Sequence, residues 1–280
     1  MIATALQTAP DPALPATVGR APEPPTAQVI ELAQARKARA RRAAPMTAAA
    51  DLAATPCDIQ NAFSHYVPPK LVERLMADPR LLNLGGETRD ITVLFADVRG
   101  FTTLAEALED DPQQLARAIN AVLSPLSEIV LAHGGTIDKY MGDCVMAFWG
   151  APHDDPDHAD HAVAAACAML GAMPEINARV RRAVSGCFPS MSIGIGVNSG
   201  KCVVGNLGCQ QRFDYSVLGD PVNVASRLEG LSKSYDVPLL LGQATAQRLR
   251  HHNAREIDRI CVRGRHGEQA VFTLTPGDRP

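Results

Sequence analysis

A chain of 280 residues with 46% hydrophobic content is long enough to bury one large core and still carry an accessory segment. Its net charge of −3 excludes a basic field for nucleic acid spread over the whole molecule. Ala162 to Met173 reads as the longest apolar helical stretch, too short and too rich in small residues to span a bilayer, and no signal-peptide pattern is visible; a soluble, cytoplasmic protein without a transmembrane segment is expected.

Residues 1–45 differ in kind from the rest. They are rich in Ala and Pro, hold few large apolar side chains and carry the basic cluster Arg36-Lys37-Ala38-Arg39-Ala40-Arg41-Arg42. They read as a disordered, solvated tail, with a helix expected only around Val29 to Arg42. Residues 46–87 read as a helical lead-in, because Phe63, Val67, Leu71 and Leu75 recur at helical spacing around the break at Pro68-Pro69.

The pattern changes from residue 88. Ile91-Thr92-Val93-Leu94-Phe95-Ala96 is short, β-branched and bounded by charge and glycine, as a buried strand should be, and sets Asp97 at its carboxyl end. Val98-Arg99-Gly100-Phe101-Thr102 can then turn its N–H groups outward and lead into a long helix, which offers phosphate oxygens backbone donors and a favourable dipole. Thr136 to Met141 and Cys144 to Trp149 read as two strands joined by a tight Gly142-Asp143 turn, with Asp143 at a sheet rim. Two carboxylates suffice for Mg²⁺, which takes one or two of them and completes its shell with substrate phosphates and water. The plain alternative for either aspartate is a turn residue or a helix cap.

An Ala-rich helix is expected from about 157 to 180, and strands at Met191 to Val197 and near 202–207, 213–218, 254–262 and 270–275. The resulting order suits an α+β, ferredoxin-like βαββαβ sheet with added strands and helices on one face. In Val222-Asn223-Val224-Ala225-Ser226-Arg227-Leu228, Asn223 and Arg227 share a face if the segment is helical. Their plain alternatives are a helix N-cap after Pro221 and a solvated helix arginine.

Three features imitate chemistry. His153-Asp154-Asp155-Pro156-Asp157-His158-Ala159-Asp160-His161 is rich in metal-ligand types, but acidic residues belong at a helix N-terminus. The seven cysteines, Cys57, Cys144, Cys167, Cys187, Cys202, Cys209 and Cys261, are odd in number and lack paired spacing, which fits reduced, mostly buried thiols. Gly194-Ile195-Gly196 lies within a strand instead of opening a helix, so it reads as a close-packing position and not a dinucleotide loop.

Taken in order, the Asp97 block, the Gly142-Asp143 hairpin and Tyr215-Ser216-Val217-Leu218-Gly219-Asp220-Pro221-Val222-Asn223-Val224-Ala225-Ser226-Arg227 resemble the class III nucleotidyl cyclases, the adenylate and guanylate cyclase family. The resemblance covers roughly residues 88 to 275 and implies that 88–280 is a cyclase catalytic domain. It implies Asp97 and Asp143 as metal ligands for two Mg²⁺ or Mn²⁺ ions per active site. It assigns the triphosphate cradle to Val98, Arg99, Gly100, Phe101 and Thr102, the ribose to Asn223 and phosphoryl charge to Arg227. Arg263, in Val262-Arg263-Gly264-Arg265, stands where the family has a lysine on the terminal phosphates; arginine keeps the charge but is not equivalent.

Base choice follows from the same resemblance. Lys139 matches the purine-selecting position, where lysine accompanies adenine and glutamate accompanies guanine, and an ammonium indeed suits the adenine N1 acceptor. Ser216 takes the second base position, where many animal adenylate cyclases have aspartate. Its hydroxyl can accept from the adenine 6-amino group, though a hydroxyl both donates and accepts. This Lys plus Ser or Thr pairing resembles the subgroup in which bicarbonate activation has been described. The family implies a homodimer with ATP bound at the interface, where the 3′-hydroxyl attacks the α-phosphate. The alternatives are a guanylate cyclase, which Lys139 argues against, and a catalytically silent nucleotide-binding regulatory dimer.

Overall fold

The computed structural model describes residues 72, 83–186, 188–261 and 268–275. The basic tail, nearly all of the helical lead-in and Arg263 lie outside the described residues.

Strand β1, Gly85–Arg99, is buried without alternation from Ile91 to Ala96, so both faces of the sheet are covered there. It runs into helix α1, Phe101–Ala107, and then α2, Pro112–Ala132. The single long helix expected here is thus two. Asp111-Pro112 restarts it: Asp111 Oδ1 accepts from the N–H groups of Gln113 (3.1 Å) and Gln114 (3.0 Å), and Pro112 supplies the fixed φ of a first helical residue. Strands β2, Thr136–Met141, and β3, Cys144–Trp149, follow with the bounds expected from sequence. Then come α3, His158–Ala183, β4, Ser192–Cys209, β5, Arg212–Leu218, α4, Asp220–Leu231, β6, Leu239–Gly242, the short α5, Gln243–Ala246, β7, Ala254–Cys261, and β8, Glu268–Leu274.

The eight strands form one sheet in the order β2-β3-β1-β4-β6-β8-β7, with β5 paired to β4 off this path. The first four neighbours are antiparallel and form the ferredoxin-like βαββαβ core, to which β6 adds in parallel. Where two strands were expected between 191 and 207, β4 is continuous and pairs with β1 over its full length, from Gly85↔Asn206 to Arg99↔Ser192. Asn198-Ser199-Gly200 looks like a turn, but its polar side chains are satisfied inside: Asn198 Nδ2 donates to Pro221 O (3.2 Å), and Ser199 Oγ meets Thr92 Oγ1 (2.7 Å) and Thr245 Oγ1 (2.9 Å).

Residues of alternate parity line two cores. Leu94, Ala96, Val98, Val145, Ala147, Trp149, Ile193, Ile195 and Val197 pack under α2 and α3. Ile91, Val93, Phe95, Met146 and Phe148 lie on the opposite face with Ala225 of α4. The expectation of helices on one face therefore holds for α2 and α3 and fails for α4. Gly194 and Gly196 make its approach possible: a Cβ at Gly196 would lie 2.2 Å from Glu229 N and 2.3 Å from Ala225 O. Helix α2, not Ala162 to Met173, is the described helix long and apolar enough to cross a membrane. Its Ala118, Val122, Leu126 and Val130, four apart, are buried in the core beside α3.

Candidate active site

Sheet register brings Asp97 and Asp143, the two aspartates expected to hold metal, to one rim. Ala96 pairs with Val145, so Asp97 lies beside Cys144, the residue that follows the Gly142-Asp143 turn. Gly142 takes φ 66° in that two-residue turn, the left-handed value its first position requires. Both carboxyls are half-buried, and their surroundings oppose ionisation. Desolvation pushes Asp97 up from the usual carboxylate range against the pull of Arg99. Desolvation also raises Asp143, to which the Asp97 charge adds, while its own backbone N–H pulls it down.

A third carboxylate completes this rim, one that sequence reasoning missed. Glu229 stands four residues after the sheet-facing Ala225 of α4, and its Oε1 lies over Gly194, the residue paired with Asp97. Burial, then the charge of Asp97 and less strongly that of Asp143, push it up to about 7, with Arg99 opposing. Arg99 is anchored above the same strand by donating from Nη2 to Ser232 Oγ (2.5 Å). The spacing of Ala225 and Glu229 was the available signal. The Cys144 thiol beside them is pushed up to about 12 by burial and by Asp97 and Glu229, so it stays protonated and inert.

The nearby segment expected to cradle phosphate is short and uncapped by any side chain. Val98 and Phe101 are buried, Gly100 has φ 90°, and no side chain accepts from the first N–H groups of α1. On α4, Asn223 and Arg227 are exposed and share the face turned from the sheet. Helix α4 begins at Asp220 with Gly219 as its cap, so Asn223 is inside the helix and is not its N-cap.

Lys139 and Ser216, expected to meet the base, gather elsewhere, around a residue not singled out from sequence. Asp138, the extra residue of a bulge between Ile137 and Lys139 on β2, has a side chain with no solvent exposure. Its Oδ2 accepts from Ser216 Oγ (2.8 Å) and Val217 N (3.3 Å), and its Oδ1 lies 3.2 Å from Lys139 Nζ without a well-directed hydrogen bond. Lys139 and Ser216, 77 positions apart in sequence, thus converge on one carboxylate. Burial raises the Asp138 carboxyl, and the Ser216 hydroxyl, the Lys139 ammonium and the Val217 amide pull it back.

The imitations of chemistry are accounted for structurally. Asp155 accepts from Asp157 N and pairs with His161, Asp157 pairs with Arg250, and Asp160 accepts from the N–H groups of Arg250 and His251. Among the described residues, no group of three or more His, Cys, Asp or Glu side chains is arranged to hold a metal ion. Cys144, Cys167, Cys202 and Cys209 are free thiols; Cys209 is exposed, Cys167 is partly so, and the other two are buried.

The sequence pattern of the adenylate and guanylate cyclase catalytic domain matches residues 86–276, well over half of the chain. The chain belongs to this family. Adenylate cyclase 1 of Rhizobium meliloti is 35% identical over 182 residues, which cover 65% of this chain and 27% of that protein. The adenylate cyclase of Anabaena cylindrica is 35% identical over 222 residues, covering 76% and 43%. This cyclase-family chain therefore spans less than half the length of these relatives. Among solved structures, the adenylyl cyclase CyaB of P. aeruginosa is 34% identical with a TM-score of 0.61, covering 69% of this chain and 96% of that one. The guanylyl cyclase Cya2 is 31% identical with a TM-score of 0.59, covering 68% and 94%.

Proposed function

We propose that this chain is an adenylate cyclase that converts ATP to 3′,5′-cyclic AMP and pyrophosphate in a homodimer with the active sites at the interface. The observation that carries the choice of base is the convergence of Lys139 and Ser216 on Asp138. Lys139 Nζ donates to adenine N1, where guanine would present an N–H, and Ser216 Oγ accepts from the 6-amino group. Residues 98–102 hold the triphosphate through the uncapped start of α1, with Arg263 on its terminal phosphates. Asn223 orients the ribose, and Arg227 offsets charge on the α-phosphoryl group as the 3′-oxygen adds in line and pyrophosphate leaves.

Asp97 and Asp143 fit a divalent cation: both are half-buried, their charges repel, and no cation among the groups acting on Asp143 offsets its charge. Two Mg²⁺ or Mn²⁺ ions held there would supply Lewis acidity toward the 3′-hydroxyl and offset the phosphate charge. No protein general base is required. The relatives give no support to bicarbonate as an activator.

The deciding measurement is formation of cyclic AMP and cyclic GMP from ATP and GTP with Mg²⁺ and with Mn²⁺. Cyclic AMP is expected to dominate. Comparable or greater cyclic GMP would make the chain a guanylate cyclase, and nucleotide binding without either product would make it a silent regulator.

A further inference from the structure

We propose that Asp138 is a positioning residue that makes the Ser216 hydroxyl an obligate hydrogen-bond acceptor and so gives the purine site its preference for a 6-amino group. The inference rests on the adenylate cyclase reading and deepens it. A serine hydroxyl has one hydrogen and two lone pairs, so by itself it serves adenine's 6-amino group or guanine's 6-carbonyl equally well. Here the hydrogen is committed. Ser216 Oγ donates to Asp138 Oδ2 at 2.8 Å, and the Val217 amide donates to the same oxygen at 3.3 Å. Lys139 Nζ approaches the other oxygen at 3.2 Å. Three donors surround a carboxylate that has no solvent contact, and an ionised carboxylate only accepts.

Only lone pairs of Ser216 are then left to meet a base. They accept from an exocyclic amine and repel a carbonyl, and rejection is strong where a buried polar group is left unpaired. Lys139 Nζ stands 3.2 Å from the other oxygen of the same carboxylate, so donor and acceptor sit beside a single group. The β2 bulge that inserts Asp138 is what turns its side chain inward.

Asp138→Asn tests this at constant size, because an amide can donate to Ser216 and release its hydrogen toward the base. The ratio of kcat/KM for ATP to that for GTP should fall about tenfold, through ATP losing and GTP gaining. In a Ser216→Ala background the same substitution should leave the ratio unchanged, since the hydroxyl it acts through is gone. A merely structural role would lower both substrates together and leave the ratio intact in either background, which would overturn the inference.

Should Asp138→Asn not fold, wild-type enzyme decides with two analogues of equal size that both keep the N1 acceptor: N6-methyl-ATP, a donor at C6, and 6-methoxypurine riboside triphosphate, an acceptor. The donor should be turned over about tenfold better; equal turnover would mean a freely rotating hydroxyl and would overturn the inference. The parent reading is judged separately: a wild-type chain that turns over GTP as well as ATP overturns both, whereas an ATP-selective wild type with an unmoved Asp138→Asn ratio overturns this inference alone.

Discussion

The site has two halves that handle buried negative charge in opposite ways. Around Asp138 the structure supplies its own donors, the Ser216 hydroxyl and the Val217 amide on one oxygen and the Lys139 ammonium 3.2 Å from the other, before any ligand arrives. Around Asp97, Asp143 and Glu229 desolvation raises each carboxyl, the Asp97 charge adds to Asp143 and Glu229, and Arg99, itself tied to Ser232, opposes at Asp97 and Glu229. Recognition of a base calls for groups fixed in advance, while holding metal and phosphate calls for charge that is satisfied only when they bind.

The sharpest way to break that contrast is to remove charge from the unsatisfied half. Asp97→Ala or Asp143→Ala should lower cyclic nucleotide formation about a thousandfold or more at saturating Mg²⁺. Neither should lower the melting temperature in metal-free buffer, because each relieves repulsion. Near wild-type turnover in either variant would sink the metal assignment. Lys139→Glu with Ser216→Cys attacks the satisfied half and should shift the ATP-to-GTP turnover ratio about a hundredfold toward GTP, at about tenfold for each hydrogen bond changed. An unmoved ratio would place base selection elsewhere.

A smaller effect locates the two halves. If a complete site takes Asp97 from one protomer and Arg227 from the other, Asp97→Ala and Arg227→Ala homodimers are both nearly inactive. An equal, freely exchanging mixture should recover roughly a quarter of wild-type activity, since half the dimers are mixed and each holds one intact site. Absence of recovery with exchange demonstrated would mean that each site is built within one chain.

The smallest effect is on stability. Glu229 has a folded-state pKa raised to about 7 from the ordinary 4.5, so the fold favours its protonated form. Its contribution is fully present below about 4.5, falls as pH rises and is lost above 7. Metal-free melting temperature should therefore drop between about pH 5 and 7, and Glu229→Gln should flatten that slope. An unchanged slope would mean that Glu229 is not held against its charge.

Motifs whose chemistry is local were legible from sequence. The β2–β3 hairpin has the bounds its Gly142-Asp143 turn implies, and Asp97 follows an apolar run that the structure buries throughout. Features that depend on a distant partner were not. Asn198 and Ser199 find their partners in Pro221, Thr92 and Thr245, far off in the chain, and β4 runs through them where two strands were expected. Strand β6 is four residues long and was missed, being shorter than any periodicity can show. Asp138 has the appearance of one more polar strand residue, because neither a bulge nor a contact with Ser216 leaves a mark on the chain. Glu229 had a mark, its place one turn beyond Ala225, but no sheet to face until α4 was found on the side opposite α2 and α3.

Gly196 shows how narrow the mechanical tolerance of this site is. With Glu229 N and Ala225 O standing 2.2 and 2.3 Å from where its Cβ would be, α4 rests on bare sheet backbone at this one residue. At that point the helix has no room to move toward the sheet without backbone striking backbone, while Val224, Ala225 and Leu228 pack on the sheet to either side. Asn223 and Arg227, on its outer face, ride as fixed teeth of the sheet itself. In the proposed homodimer, opening and closing around a nucleotide would then come from one protomer turning against the other.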